Sequence, residues 1–354
     1  MKVLYICGDF SVIGGIEKYN KDFIDSLKMT NTDIRTVLRF PGGLFAKISF
    51  VLRVILTVIL YRPNFILCGH LHFGSLCLAF KKLFNIPYLI NLYGIEIISL
   101  CSNRQKQIVN EAYKVITISE YSKRLILEKF PTIEPKLFMH PSSVDGEKYN
   151  IRTRNQYLIE KFQLQNRPVI LSLARLSTPE HKGQDRVLKA LPQVLATFPE
   201  AVYLIVGSGV DQRVTDFLTA HTELKNNVIL AGAAKEEEKP DFYNLADIYI
   251  LPSKFEGFGI VFIESLSCGI PVIASDGYGC RESLLNGEIG TLVPPDDIEY
   301  IAMALIKALK DKEENQKITY RQNLREKTLQ IYGIDAWHHR TKKLVNELYL
   351  LKIK

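Results

Sequence analysis

Two glutamates, Glu256 and Glu264, stand eight residues apart on either side of a glycine-containing turn. The apolar run at residues 246–252 predicts a short buried strand, and residues 259–268 predict a helix. Glu256 is therefore expected in the loop between strand and helix. Glu264 is expected about 1.5 turns inside the helix, since a helix has ~3.6 residues per turn.

This placement suits the recognition of a sugar nucleotide. Open α/β sheets bind ligands at the carboxyl ends of their parallel strands, and a helix start presents free backbone N–H groups to an anion. Two carboxylates accept hydrogen bonds from hydroxyl groups, while the backbone donors suit a phosphate. Two surface glutamates could fall eight apart by chance, but the surrounding strand, glycines and apolar helix favour a built site.

Arg175 and Lys182 are the candidate ligands for a diphosphate. Arg175 follows the predicted strand at residues 168–174, and Lys182 comes just before a predicted helix at residues 185–195. The guanidinium offers a planar fork of donors and the ammonium a point charge. Such residues are often solvated surface charges, but their place at the same strand edge as Glu256 favours a function.

The first part of the chain offers weaker candidates. Gly14 and Gly15 open a helix after the first strand and allow close approach of the backbone to a ligand, although the spacing is not that of a dinucleotide fingerprint. His70 and His72 follow a predicted strand, but a pair without a third ligand is a weak metal signal. No Asp-x-Asp sequence occurs. We therefore expect no cofactor and no divalent metal, with the cationic pair carrying the diphosphate charge.

Apolar strands alternate with helical patterns in two series, which indicates two Rossmann-like, doubly wound parallel-sheet domains facing a cleft. The predicted strands cover residues 2–7, 33–38, 64–68, 88–92, 114–118 and 136–139, then 168–174, 201–206, 227–231, 247–251, 271–274 and 290–293. We place the N-terminal domain at residues 1–155, with a returning helix at 334–354. The C-terminal domain is expected at residues 156–333.

The composition is that of a folded intracellular protein. The chain has 354 residues, 47% of them hydrophobic, which suits two cores. Its six cysteines form no CxxC pair, so buried free thiols in a reducing cytoplasm are expected. The first residues predict a strand that is too short and too early for a signal peptide.

The positive charge lies in the first part of the chain. Residues 1–150 contain 19 Lys and Arg against 12 Asp and Glu, a balance of +7 that accounts for the whole net charge. Residues 44–61 form an apolar run of helical length that contains Lys47 and Arg53, which argues against spanning a membrane. Two interpretations stay open: a buried crossover helix, or a basic amphipathic helix on an anionic membrane. No nucleic-acid-binding module accompanies the basic part.

The run from Glu256 to Ser275 resembles the EX7E segment of retaining glycosyltransferases of family 4, which have the GT-B fold. Further matches are Gly14 to Glu17, Gly94 to Glu96, Ile118-Ser119, Ser143 to Asp145, Arg175 with Lys182-Gly183, and residues 287–294. The resemblance implies a metal-independent enzyme that moves a sugar from a UDP- or GDP-sugar to an acceptor hydroxyl with retention of configuration.

The resemblance also implies roles for single residues. Glu264 would hold the ribose hydroxyls, while Glu256 and the backbone amides of Phe258, Gly259 and Ile260 would engage the donor sugar. Arg175 and Lys182 would stabilise the leaving diphosphate, and Gly14 and Gly15 would let the first domain's loop close on it.

The chain departs from the family where relatives carry a histidine before Gly-x-Glu, since it has Tyr93 there, and a tyrosine cannot become cationic. Tyr93, Glu96, His70 and His72 are expected on the acceptor or sugar side.

We expect a glycan or lipid-linked acceptor in cell-surface polysaccharide, lipopolysaccharide or glycolipid synthesis. The expected location is cytoplasmic and peripheral on the inner face of the membrane. The alternatives are a catalytically silent sugar-nucleotide binder or a GT-B epimerase; a phosphorylase lacks its pyridoxal-phosphate lysine context.

Overall fold

The structure is a computed structural model that describes residues 1–11, 14–98, 102–178 and 182–352. The chain divides into two compact units. The first unit consists of Met1–Ser143 with Asp335–Lys354, and the second consists of Val144–Ile334.

The first unit is built on a sheet of six parallel strands. They are β1 (Lys2–Gly8), β2 (Asp33–Arg39), β3 (Phe65–Cys68), β4 (Tyr88–Leu92), β5 (Lys114–Thr117) and β6 (Leu137–Met139). Their order in the sheet is β2-β1-β3-β4-β5-β6. Because all strands run the same way, every loop that follows a strand lies at one edge of the sheet.

Helices cover both faces of this sheet, as a parallel sheet requires. They are α1 (Gly15–Lys28), α2 (Leu44–Tyr61), α3 (Gly74–Phe84), α4 (Ile95–Ile98), α5 (Asn103–Glu111), α6 (Glu120–Lys129) and, from the end of the chain, α16 (Ile334–Lys352). The core on the α2 side includes Val54 and Leu78. On the other side Tyr19 and Phe23 of α1 pack against Trp337 of α16.

The second unit repeats the arrangement. Its strands are β7 (Val169–Leu173), β9 (Val202–Val206), β11 (Val228–Gly232), β12 (Ile248–Leu251), β13 (Val272–Ser275) and β14 (Thr291–Val293), with a separate two-residue pair β8 (Leu176–Ser177) and β10 (Gly209–Val210). The large sheet has the order β11-β9-β7-β12-β13-β14 and all its strands are parallel. The strands β9, β7 and β12 are neighbours, so the loops after them lie side by side.

The helices of the second unit again lie on both faces of the sheet. They are α7 (Gln156–Lys161), α8 (Gln184–Thr197), α9 (Gln212–Ala220), α10 (Lys239–Leu245), α11 (Ile260–Ser267), α12 (Cys280–Ser283), α13 (Ile298–Lys310), α14 (Lys312–Gln316) and α15 (Ile318–Tyr332). Helices α8 and α13 share one core with the sheet through residues such as Leu191 and Leu305.

The predicted strands of both large sheets are present, each within one residue of its expected ends. The short pair β8 and β10 was not predicted, because two residues carry no periodic pattern. Five cysteines, Cys7, Cys68, Cys77, Cys268 and Cys280, are buried free thiols, as expected. Cys101 lies outside the described residues.

The first unit ends after residue 143, earlier than the boundary expected after residue 155. The polar stretch that was interpreted as a linker packs on the second unit instead. The Arg152 N–H donates to Asn244 Oδ1 (2.9 Å), and Ser267 Oγ donates to the Tyr149 carbonyl oxygen (2.6 Å). A polar composition alone therefore does not mark a linker, because these groups are satisfied by the neighbouring helices α10 and α11.

The terminal helix α16 belongs to the first unit. Thr341 Oγ1 lies 3.1 Å from the ring nitrogen Nε2 of buried His140, and Lys114 forms an ion pair with Glu347 (2.8 Å). The chain thus starts and ends in the same unit.

Candidate functional site

The loop that carries Glu256 joins β12 to α11 and is fixed by the backbone of Gly279. The Gly279 N–H donates to the Glu256 carbonyl oxygen at 2.8 Å. A Cβ atom at Gly279 would lie 2.1 Å from the Gly257 carbonyl oxygen. Gly259 has φ +89°, and a Cβ atom there would lie 2.3 Å from the Phe262 ring. Glycine is therefore required at both positions. Gly279 allows the close approach of two backbone segments, and Gly259 allows a close approach and a left-handed backbone conformation.

Phe258 anchors this loop in the core. Its side chain is buried and meets the Tyr332 ring edge to face, with 5.3 Å between centroids. The ring is thus used for packing, and only the backbone of Phe258 can engage a ligand. Helix α11 begins at Ile260, and the first amides of a helix have no partner within it. This is the geometry expected for backbone recognition of a donor.

Glu264 is the most deeply buried carboxylate of the candidate site. Its side chain lies in α11, the residue is 2% exposed, and Tyr243 Oη donates to Glu264 Oε2 at 2.9 Å. Burial and then the Glu264 charge raise the pKa of Tyr243, so the phenol stays protonated and remains a donor. The hydrogen bond holds the carboxylate in one orientation.

Tyr149 lies beside this pair without completing it. Its ring is 6.0 Å from the Tyr243 ring, centroid to centroid. Burial and the Glu264 charge raise the pKa of Tyr149, yet its hydroxyl has no partner at hydrogen-bonding geometry among the residues that the structure describes. Tyr149 is thus a second phenol beside the Glu264 carboxylate.

Lys182 and Glu256 come together as the sequence prediction requires. Lys182 Nζ lies 3.0 Å from Glu256 Oε2, and both side chains are largely buried. Gly183, with φ +93°, allows this approach, since a Cβ atom there would lie 2.5 Å from the Pro252 carbonyl oxygen. The pair joins the start of α8 to the loop after β12. An ammonium group fixed at a helix start is well placed for an anion.

Arg175 lies in the neighbouring loop, directly after β7. The residue is exposed, its carbonyl oxygen accepts from Gln184 Nε2 at 3.4 Å, and its side chain packs beside Gly209. Since β7 is adjacent to β12, Arg175 lies at the same sheet edge as Glu256.

In the first unit, the Tyr93 hydroxyl forms hydrogen bonds with buried groups of the core. It lies 2.9 Å from the Gly69 carbonyl oxygen and 3.2 Å from Asn20 Oδ1, and it accepts from Asn91 Nδ2 at 3.2 Å. Tyr93 is only 7% exposed, so its hydroxyl points away from solvent. The hydroxyl is therefore satisfied within the unit, and the expected place of Tyr93 on the acceptor or sugar side stays a prediction.

His70 and His72 lie next to Tyr93 at the ends of neighbouring strands. The two imidazole rings stack with 4.3 Å between centroids, and His70 Nδ1 accepts from the His72 N–H. Burial first, and His72 second, lower the pKa of His70 to about 4. His70 is therefore neutral at physiological pH and does not replace a cationic histidine.

The remaining first-unit candidates act as local caps. The Tyr93 N–H donates to the Glu96 carboxylate, whose pKa is raised by burial. The Gly14 N–H donates to Glu17 Oε2 at 3.1 Å, and Gly15 is the exposed first residue of α1. Nothing in these contacts assigns a ligand to Gly14, Gly15 or Glu96, so their proposed roles stay predictions.

Within the described ranges, no group of three or more His, Cys, Asp and Glu side chains is arranged to hold a metal ion. The expectation that the site works without a divalent metal stays a prediction.

Sequence reasoning missed Tyr243 and Tyr149. Tyr243 lies on the short helix α10, and Tyr149 lies in the polar stretch that was interpreted as a linker. A phenol near a carboxylate in space has no spacing signature in the sequence. The one available signal was chemical: a buried glutamate needs a donor.

Residues 156–325 match the family described as Glycosyl transferases group 1. The matched segment contains Arg175, Lys182, Glu256 and Glu264, the charged candidates of the second unit. Most of the second unit is thus similar to the glycosyl transferases group 1 family.

Two curated relatives are mannosyltransferases. The chain is 28% identical over 229 residues to the GDP-mannose-dependent alpha-(1-6)-phosphatidylinositol monomannoside mannosyltransferase of Mycolicibacterium smegmatis, covering 62% of this chain and 58% of that protein. It is 31% identical over 216 residues to the GDP-mannose-dependent monoacylated alpha-(1-6)-phosphatidylinositol monomannoside mannosyltransferase of Corynebacterium glutamicum, covering 58% and 55%. The matches thus span a little over half the length of these relatives.

A solved structure shows the same fold along almost the whole chain. Sucrose-phosphate synthase from Thermosynechococcus elongatus matches with a TM-score of 0.81 and 20% identity, covering 99% of this chain and 100% of that chain. The predicted fold class, a GT-B fold of two Rossmann-like α/β domains, is confirmed.

The contact between Gly279 and the Glu256 loop leads to a stability prediction. Gly279→Ala would force a Cβ atom against the Gly257 carbonyl oxygen, and we expect it to destabilise the second unit by about 3 kcal/mol or more. Gly8→Ala is the control, because a Cβ atom there would meet open space and Gly8 caps no helix. Urea unfolding followed by circular dichroism measures both. Equal midpoints for the two variants would contradict the described packing.

Proposed function

We propose that the protein is a retaining glycosyltransferase. It moves a sugar from a UDP- or GDP-sugar to an acceptor hydroxyl in the synthesis of a cell-surface polysaccharide, a lipopolysaccharide or a glycolipid. The observation that carries this proposal is the construction of the strand-to-helix segment from Glu256 to Glu264, whose two carboxylates are held by Lys182 and Tyr243.

The chemistry of these groups supports a nucleotide-diphosphate sugar as the donor. Glu264 presents a fixed acceptor for paired hydroxyls, as a ribose has. Glu256 and the first amides of α11 suit the hydroxyls of the sugar, and Lys182 with Arg175 suits the diphosphate. Both relatives are named as GDP-mannose-dependent, so GDP-mannose is the first donor to test and UDP-sugars are the second.

The proposed reaction forms a bond between the acceptor oxygen and the anomeric carbon while the bond from that carbon to the phosphate oxygen breaks. The acceptor attacks on the face that the diphosphate leaves, and a leaving phosphate oxygen takes the hydroxyl proton. Lys182 and Arg175 stabilise the charge that develops on the diphosphate. Glu256 orients the sugar and balances the Lys182 charge, which makes it a positioning group and not a nucleophile.

The relatives' names also bear on the acceptor and the location. Both act on phosphatidylinositol-based lipids by name. We propose a lipid-linked or glycan acceptor for this chain, with the protein in the cytoplasm and in peripheral contact with the inner face of the membrane through its basic N-terminal half.

Lys182→Gln tests the diphosphate role. Removing the ammonium takes away a charge that acts on the leaving group, so we expect kcat/KM to fall about a hundredfold or more. Lys254→Gln is the control, because Lys254 lies in the loop that carries Glu256 but pairs with Asp296 (2.6 Å). Initial rates of nucleoside diphosphate release measure both. Similar rates for the two variants would argue against a catalytic Lys182.

Turnover of a donor panel tests the proposed function as a whole. We expect one GDP- or UDP-sugar to be consumed when a glycolipid acceptor is added, with an unchanged rate in EDTA and a product of retained anomeric configuration by NMR. Nucleotide binding without turnover of any donor would favour the silent binder, and conversion of a donor to an epimeric sugar nucleotide would favour the epimerase. A rate abolished by EDTA would overturn the metal-independent mechanism.

A further inference from the structure

Helix α2 is apolar on its buried side and on its solvent side. The buried side consists of Phe50, Val54, Val58 and Tyr61. The opposite side, which we call the α2 face, consists of exposed Leu44, Phe45, Ile48, Val51, Leu52, Ile55, Leu56, Ile59 and Leu60. A surface helix of a soluble protein normally turns polar residues to water. The α2 face therefore lacks the composition of a hydrated surface.

The exposure of this face is large. Phe45 is 90% exposed, Leu44 70% and Leu60 69%. Contiguous exposed apolar residues of this kind mark a surface that contacts a membrane or another protein. The structure thus settles part of the question left by the sequence: α2 is a crossover helix of the sheet, and it is also an apolar helix directed outward.

The sequence around α2 is basic. From Ile34 to Ile95 the sequence contains no Asp or Glu. The same segment contains seven basic residues: Arg35, Arg39, Lys47, Arg53, Arg62, Lys81 and Lys82. Basic residues beside an apolar surface are attracted to anionic lipid headgroups.

Arg53 connects the charge to the apolar face. Its guanidinium donates to the Leu38 carbonyl oxygen at 2.9 Å and lies 5.6 Å from the centre of the exposed Phe40 ring. The loop before α2 thus places an aromatic side chain beside Arg53, a cation in the middle of the helix. Aromatic and cationic side chains together are typical of elements at a membrane interface.

By length and composition alone α2 could span a bilayer, with 18 residues and a mean hydropathy of 2.1. The fold does not permit this, because α2 connects β2 to β3 and both of these strands pair with β1 in one sheet. A spanning helix would place the two strands on opposite sides of the membrane. The geometry instead allows α2 to lie in the plane of the interface.

The first turn of α2 lies at the edge of the sheet where the acceptor-side candidates lie. Strands β2 and β3 are parallel, so the loop after Arg39 and the loop after Cys68 share the carboxyl edge. The first of these loops leads to Leu44 and Phe45, and the second carries His70. A lipid anchored at the first turn of α2 would have its headgroup at this edge.

We propose that the α2 face inserts into the interfacial layer of an anionic bilayer without spanning it, and that this seats the first unit with its acceptor-side edge at the lipid headgroups. The inference rests on the membrane contact that is part of the proposed function, and it identifies the α2 face as the surface that makes this contact. A second copy of the chain is a poorer occupant, because pairing two α2 faces would also bring together two segments in which basic residues outnumber acidic ones.

Vesicle flotation tests the surface. We expect binding to vesicles of equal parts phosphatidylcholine and phosphatidylglycerol, and weaker binding to phosphatidylcholine alone. Leu52→Ser with Leu56→Ser removes two exposed apolar side chains, 59% and 57% exposed, and should lower the partition coefficient about tenfold or more. Met303→Ser with Ile318→Ser, at 49% and 54% exposure in the second unit, is the matched control and should bind like the wild type.

A tryptophan reporter distinguishes insertion from adsorption by charge alone. The chain has one native tryptophan, Trp337, which is 1% exposed and supplies a constant background. Phe45→Trp should show a blue-shifted emission with the anionic vesicles and quenching by brominated acyl chains. Met303→Trp should show neither.

Three outcomes would overturn the inference: no vesicle binding, equal binding of the Leu52/Leu56 variant and the wild type, or a lipid-free dimer that this variant abolishes in analytical ultracentrifugation. GDP and UDP binding, measured without lipid, separates this question from the proposed function. The Leu52/Leu56 variant should bind nucleotide like the wild type. If the wild type binds vesicles but no nucleotide, the assignment of the α2 face as a membrane-binding surface is supported and the proposed transferase activity is contradicted.

Discussion

The hydrogen bond from Tyr243 to Glu264 is the interaction on which the candidate site depends. A carboxylate that is almost fully buried costs several kcal/mol unless donors compensate it. Tyr243 supplies one such donor at 2.9 Å, and burial together with the Glu264 charge raises the pKa of this phenol so that the donor is kept. The oxygen positions of Glu264 are therefore fixed before any ligand binds, which lowers the ordering cost of binding.

The loop before α11 extends this constraint to Glu256. Gly279 and Gly183 let two backbone segments approach the loop more closely than any side chain permits, and Phe258 fixes it to the core. Lys182 then meets Glu256 at the start of a second helix. The outcome is a set of charged groups whose positions follow from packing in one unit. The first unit has a different character, because its polar candidates are mostly bonded to each other and its unusual surface is the apolar face of α2.

The strand order and the loop positions could be predicted because buried parallel strands leave continuous apolar runs and because parallel strands end at one edge. The same reasoning placed Glu256, Lys182 and Arg175 together. It could not find the Tyr243–Glu264 contact, since two residues on different helices have no periodic relation in sequence. The domain boundary was misplaced because the polar groups of residues 144–155 are satisfied by the second unit. The sequence left the α2 question open, because hydrophobicity shows which helices are apolar but not which of their sides a sheet covers.

Calorimetric titration of GDP and UDP into the wild type and into Glu264→Gln tests the central claim most directly. We expect one nucleotide to bind selectively and the variant to lose about tenfold or more in affinity, because a charged acceptor for the ribose hydroxyls becomes a neutral amide. Tyr203→Phe removes a buried phenol bonded to Ser172 in the same unit and should bind nucleotide like the wild type. Equal affinity of Glu264→Gln and the wild type would contradict the assignment of Glu264 as the nucleotide-binding carboxylate.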